Sequence, residues 1–246
     1  MVQKTSYADG APCWAQLLTR DAVAAERFYA ELLGWECRDQ GGWTICHVGG
    51  RPVAAITPDP QADDPAAWTV YLSTSDLSAT IARLDAAGGK LIEGPVASYA
   101  LARDPFGAKF AIYQPTPEFI GAGVQAEPGA MSWAEVNTPD GKGADAFYGA
   151  VFPYETEPVL GGIDYTVYNA GGEPVCGRLQ MDEHWEGVPP HWMVYFDVAD
   201  LDAAAAKVAE LGGEVPVPPF ESPYGRIAVV NHPGGGGFFS LRQPRG

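Results

Sequence analysis

The chain has 246 residues, a formal net charge of −16 and 46% hydrophobic residues. That length fits one large domain or two ordinary ones. The acidic balance excludes a protein that works by gripping nucleic-acid phosphates or anionic membranes, both of which need a basic face. Thirty Gly and 22 Pro imply many turns and short elements, not a helical bundle. No apolar run approaches the roughly 18 residues of a membrane span. The opening "MVQKTSYADGAPCW" lacks the apolar segment of a secretory signal. Cys13, Cys37, Cys46 and Cys176 show no C-x-x-C spacing and read as reduced thiols in a cytoplasmic protein.

In chain order, "CWAQLLT" (13–19) alternates as a strand. Asp21 stands where a helix cap is needed. Val23, Phe28, Leu32 and Leu33 then form an apolar helical face, and Gly34 ends it. "GGWTICHVGGRPVAAITP" (41–58) reads as a hairpin turning on Gly49-Gly50. "WTVYLST" (68–74) is a further strand. Asp76 caps a second helix with Leu77, Ile81 and Leu84 inward, closed by Gly88-Gly89. "YALARDPFGAKFAIYQP" (99–115) is a last hairpin, turned at Asp104-Pro105-Phe106-Gly107. "TPEFIGAGVQAEPGA" (116–130) is the natural linker.

Then the pattern begins again. "SWAEVNTPD" (132–140) answers "CWAQLLTRD" (13–21), and "DGKGADAFYGAVFPYE" (140–155) answers "RDAVAAERFYAELLGWE" (20–36). "GGIDYTVYNAGGEPVCGR" (161–178) answers the first hairpin. "WMVYFDVADLDAAAAKVAELGGE" (192–214) answers "WTVYLSTSDLSATIARLDAAGGK" (68–90), and "FFSLRQP" answers "FAIYQP". Such repetition marks duplication. Two homologous domains are expected, 8–117 and 127–244, joined by a linker at 118–126, each made of two β-α-β-β-β units.

"AAERFYAELLGWE", the strand–Asp–Leu–helix–Gly-Gly run of 68–90 and the "DPFG…FAIYQP" ending resemble the vicinal oxygen chelate superfamily. That superfamily includes glyoxalase I, bleomycin-resistance proteins and extradiol dioxygenases. The tandem form looks like a glyoxalase-like or hydroxylase-like branch common in actinobacteria. The resemblance implies an α+β fold in which paired units curl into an eight-stranded, mostly antiparallel sheet around one pocket per domain. It also implies that a metal, where present, is held by the first and last strands of both units.

In domain one those slots fall at Gln16, Ala54 or Ala55, Trp68 or Thr69, and Ala111. In domain two they fall at Glu135, Cys176 or Gly177, His191 or Trp192, and Ser240. Alternation lets only one of His191 and Trp192 face the pocket. A metal ion needs three or four oxygen or nitrogen ligands. No cofactor is therefore expected, with a divalent ion in domain two as the lesser alternative.

Trp133 and Asn137 share the face of Glu135. An indole beside a carboxylate desolvates it and raises its pKa toward values useful for proton transfer. Glu135 and His191 are thus the candidate catalytic residues, with Arg178 the candidate oxyanion stabiliser. The ordinary alternatives are a solvated carboxylate, or one paired with Arg178. His47, His184 and His232 read as ordinary strand, loop and hairpin-tip histidines.

The aromatic residues Trp14, Trp43, Trp68 and Tyr71 recur as Trp133, Tyr165, Trp192 and Tyr195. They are either core or the walls of a pocket for a planar organic molecule. Gln16, Asn137 and Arg178 would supply polar contacts there. No G-x-S-x-G or G-x-G-x-x-G signature is present.

The expected protein binds a small, planar or aromatic molecule in a metal-free pocket, as a monomer or homodimer, in secondary metabolism or antibiotic sequestration. The alternatives are a lyase or isomerase using Glu135 on a carbonyl substrate, a metal-dependent glyoxalase or dioxygenase, and a non-catalytic dimeric scaffold. Partners among nucleic acids or membranes are not expected.

Overall fold

The computed structural model describes residues 2–61, 66–235 and 237–245. The chain opens with β1 (Val2–Gln3). Domain one runs β2 (Pro12–Thr19), α1 (Ala22–Leu33), β3 (Glu36–Asp39), β4 (Thr44–Val48), β5 (Arg51–Pro58), β6 (Ala66–Ser73), α2 (Leu77–Ala86), β7 (Lys90–Val96), β8 (Tyr99–Arg103) and β9 (Lys109–Tyr113). The connection carries β10 (Val124–Gln125), which pairs with β1. Domain two runs β11 (Met131–Thr138), α3 (Gly141–Val151), β12 (Glu155–Pro158), β13 (Tyr165–Ala170), β14 (Glu173–Gln180) and a 3-10 turn at Glu183–Trp185. It continues with β15 (His191–Asp197), α4 (Leu201–Glu210), β16 (Glu214–Ser222), β17 (Gly225–Asn231) and β18 (Phe239–Gln243).

The two sheets have the same topology. Domain one orders its strands β3-β4-β5-β2-β6-β9-β8-β7, and domain two β12-β13-β14-β11-β15-β18-β17-β16. The first strands of the two units, β2 and β6 or β11 and β15, meet antiparallel at the centre. Each also pairs in parallel with the last strand of its own unit. The fold is α+β in two tandem domains, as the repeat implied.

Local chemistry sets the elements. Asp21, Asp76, Asp140 and Asp200 each accept a bond from the N–H three residues on, capping the four helices. Gly49 and Gly50 both have positive φ, as a two-residue hairpin turn requires. α1 buries Ala25, Phe28, Tyr29 and Leu33, whereas Val23, expected inward, is 79% exposed in the first turn.

One face of each sheet packs on the helices, and these faces meet in a core continuous through both domains. Trp68 of β6 lies 5.2 Å from Phe196 of β15, ring to ring. The Trp35 indole N–H donates to the Gly129 carbonyl at 2.6 Å, and Arg83 Nε donates to the Val151 carbonyl at 2.8 Å.

Two expectations change. Cys37 and Cys46 oppose each other on β3 and β4 and are joined as a disulfide, so only Cys13 and Cys176 are free thiols. The strand register brings the first pair together across nine residues of hairpin, which the spacing alone did not signal. The segment between the domains is also more than a connector, because Phe119 packs edge-on against Trp14 at 4.9 Å. Among the described residues no helix is long and apolar enough to cross a membrane.

Candidate functional site

The other face of each sheet carries the candidate site. On β11, Trp133, Glu135 and Asn137 point to it, while Ala134, Val136 and Thr138 point to the helices. β15 pairs antiparallel with β11, so Tyr195 stands opposite Trp133, Met193 opposite Glu135 and His191 opposite Asn137. On the other side Gly177 of β14 stands opposite Glu135.

Glu135 is 5% exposed. Its Oε1 accepts from the Tyr195 hydroxyl at 2.8 Å, and the Tyr165 hydroxyl is its second partner. The Trp133 indole N–H donates to Tyr165 Oη at 2.8 Å. Burial raises the Glu135 pKa above its ordinary 4.5, and the two phenol bonds only partly offset that. Burial and the neighbouring carboxylate push Tyr165 and Tyr195 well above the usual phenol range. The result is a dry carboxylate boxed by two phenols, with an indole completing the chain of bonds.

Around the metal slots of the resemblance, register in domain two sets Gly177 and Met193 opposite Glu135, and Ser240 opposite Tyr195. Met193, not His191 or Trp192, faces Glu135. Tyr165 Oη lies against Gly177, in the volume that any side chain at 177 would fill. One engaged carboxylate, one hydroxyl, one thioether and a glycine do not make a donor set for a divalent ion. Among the described residues no three His, Cys, Asp or Glu side chains come together in a metal-binding group. Domain one offers Gln16, Ala55, Thr69 and Ala111. Gln16 Oε1 accepts from the Tyr71 hydroxyl, and its Nε2 donates to Thr57 Oγ1 at 2.8 Å.

His191 lies at the end of the same face, two residues along the strand from the Glu135 pair. Its Nδ1 faces the Pro189 carbonyl at 2.8 Å, which can only accept, so Nδ1 carries the proton. Its Nε2 then accepts from Asn137 Nδ2 at 3.2 Å. Burial holds its pKa below the ordinary value. His191 is thus a neutral, bonded imidazole outside contact with Glu135.

Three expected pocket residues lie elsewhere. Trp68 and Trp192 are on the helix faces, donating to Tyr29 Oη at 3.2 Å and Tyr148 Oη at 2.9 Å. Arg178 also faces the helices. It binds Asp145 through Nε at 3.1 Å and Nη2 at 2.8 Å, and Asp164 through Nη1 at 2.6 Å. Burial opposes its charge, but these two carboxylates outweigh it and raise the guanidinium pKa. Fully engaged, it cannot serve as an oxyanion stabiliser for the opposite face. Trp43 holds the register slot of Tyr165 but is 39% exposed in the turn before β4.

Trp14 and Tyr71 do lie on the domain-one face. Phe119 packs between Trp14 and Tyr113, and Tyr113 in turn packs against Tyr71. Sequence reasoning missed Met193, Phe119 and the role of Gly177. A glycine inside a strand marks a close approach of another group, and "PVCGR" against "PVAAI" carried that signal.

The family pattern described as "Glyoxalase-like domain" matches residues 14–113. The anthracycline biosynthesis protein DnrV of Streptomyces peucetius is 36% identical, over 95% of this chain and 94% of its own. CFP32 of Mycobacterium tuberculosis is 34% identical, over 99% of this chain and 98% of its own. Among solved structures, the Mn(II)-bound glyoxalase of Novosphingobium aromaticivorans superposes with a TM-score of 0.67 at 17% identity, covering 96% of this chain and 82% of that one. That likeness is one of fold. Repeat, topology and near-full-length identity agree: the chain belongs to the glyoxalase-like proteins of the vicinal oxygen chelate superfamily.

Proposed function

We propose that domain two binds a small aromatic molecule on its concave face, at a metal-independent site centred on Glu135, Tyr165 and Tyr195. The observation that carries this reading is the exchange of metal slots for a phenol box. Where a metal would draw in side chains from β14 and β15, Gly177 instead admits the Tyr165 hydroxyl, and Met193 adds an apolar, polarisable wall. Few polar groups set in an aromatic, apolar face suit a planar organic ligand. The name of the Streptomyces relative, an anthracycline biosynthesis protein, supports a setting in secondary metabolism.

A second reading rests on the raised pKa of Glu135. A carboxylate so tuned can take a proton next to a carbonyl, and the Tyr165 and Tyr195 hydroxyls are then the nearest donors for the resulting oxyanion. A lyase or isomerase of this kind loses turnover in Glu135→Gln.

Native mass spectrometry of the full chain, purified without chelators, tests metal independence. The expected mass carries no stoichiometric divalent ion. One divalent ion per chain, lost in Glu135→Gln, would overturn the reading.

A further inference from the structure

A cavity of about 360 Å³ lies between residues 4–12 and the starts of β11 and β14. Trp133, Ser132, Tyr7, Pro174 and Val175 are among its walls. Trp133 borders both this cavity and the Glu135 site, because its indole N–H holds Tyr165.

Domain one contains the same place, already filled. Gln16 pairs with Ala55 as Glu135 pairs with Gly177, so Trp14 corresponds to Trp133 and Cys13 to Ser132. His47 pairs with Pro52 as Asn169 pairs with Pro174, so the two prolines correspond as well. In domain one the connecting segment lies in this groove. The Phe119 ring meets Trp14 edge-on at 4.9 Å. The Ala122 N–H donates to the Cys13 carbonyl at 2.7 Å, and the Gly123 N–H donates to the Pro52 carbonyl at 2.8 Å. Gly121 makes the approach possible: its φ is +106°, and a side chain there would run into the Cys13 carbonyl.

In domain two the counterpart residues line the open cavity instead. The domain-one groove takes a ring together with two N–H donors, those of Ala122 and Gly123 on the Cys13 and Pro52 carbonyls, and Ser132 and Pro174 hold the corresponding places on the wall of the domain-two cavity. The volume lies within the range of small-molecule sites.

We propose that this cavity binds one planar aromatic ring bearing an N–H or O–H donor, the external counterpart of the Phe119 plug. The proposal rests on the reading of domain two as the ligand face and adds a second subsite beyond Glu135, joined to it by Trp133.

Indole, a ring with one N–H donor, is the probe. It is titrated into ¹⁵N-labelled full chain, with the Trp133 side-chain N–H resonance assigned through Trp133→Phe. The expected result is one indole per chain, a shifted Trp133 resonance, and at least tenfold weaker binding in Val175→Trp, which fills the cavity. Unmoved Trp35 and Trp68 resonances show that this variant is folded. Phe119→Ala should open the domain-one groove and raise the stoichiometry to two, a readout that survives even if Val175→Trp does not fold. An unmoved Trp133 resonance, undiminished affinity in folded Val175→Trp, or a stoichiometry of one in Phe119→Ala overturns the proposal. The Glu135 reading fails instead on a stoichiometric divalent ion in the native mass of the full chain, which these indole outcomes do not depend on, so failure of this subsite and failure of the Glu135 site are separately visible.

Discussion

At the scale of single residues, the burial of Glu135 leaves a signature in stability. Its folded pKa is raised above 4.5 because burial disfavours the charged form. Between the ordinary and the raised value the folded chain therefore binds more protons at this site than the unfolded chain. Stability at this site is fully present below the ordinary value and falls as pH rises through the raised one. Glutamine does not titrate. The stability of Glu135→Gln relative to the parent should grow as pH rises from about 4.5 and level off once Glu135 is ionised in both states. Urea unfolding of both proteins from acid to neutral pH measures this, and a pH-independent difference would contradict it. Glu135 was legible because alternation places it with Trp133 and Asn137. Its phenol partners were legible as aromatic slots but not as partners, since those bonds depend on inter-strand register. The same gap assigned His191 or Trp192 to the slot that Met193 holds: an irregularity between Met131 and Trp133 helps set how β15 lies on β11, and no composition rule reveals it.

At the scale of elements, β14 separates two tasks on its two faces. Gly177 makes room for the Tyr165 hydroxyl on one face, and Arg178, the next residue, ties the sheet to α3 through Asp145, to the loop before β13 through Asp164 and to β13 itself through Thr166. The Arg178 side chain is 4% exposed and that of Asp145 is 25% exposed. Removing one partner of a fully buried pair costs about 3–5 kcal/mol. Partial exposure of Asp145 reduces this, so Arg178→Met should destabilise the fold by about 2–3 kcal/mol in urea titrations. Ligand-face binding per folded molecule should be unchanged, whereas an oxyanion role for Arg178 predicts the reverse pattern. The helices and hairpins were readable because caps and Gly-Gly turns are local signals. The face of Arg178 followed from alternation and was still misassigned, because a lone arginine near a candidate carboxylate invites pairing with it. The connecting segment was read as plain linker from its Pro and Gly content. Its one aromatic residue, Phe119, is what makes it part of domain one.

At the scale of the molecule, duplication was legible in the repeat, but the way the copies dock was not, because docking depends on surfaces that no periodicity describes. The two copies grip each other reciprocally. The turn after β8 sends Asp104 to accept from the Tyr148 hydroxyl of α3 at 3.0 Å, and the turn after β17 lays His232 against Phe28 and Tyr29 of α1. The Tyr148 hydroxyl also accepts from Trp192, so one oxygen links a turn of domain one to a helix and a strand of domain two. With the core continuous across this seam, neither domain keeps its apolar face covered when the other unfolds. The chain should therefore melt in a single calorimetric transition, with calorimetric and van't Hoff enthalpies equal. Tyr148→Phe leaves Asp104 Oδ2 and the Trp192 indole N–H without their partner, a loss of about 1–3 kcal/mol for a buried group. That loss should lower the one transition as a whole. Two resolved transitions, of which Tyr148→Phe moved only the domain-two component, would show that the domains fold independently and that the seam contributes little to either.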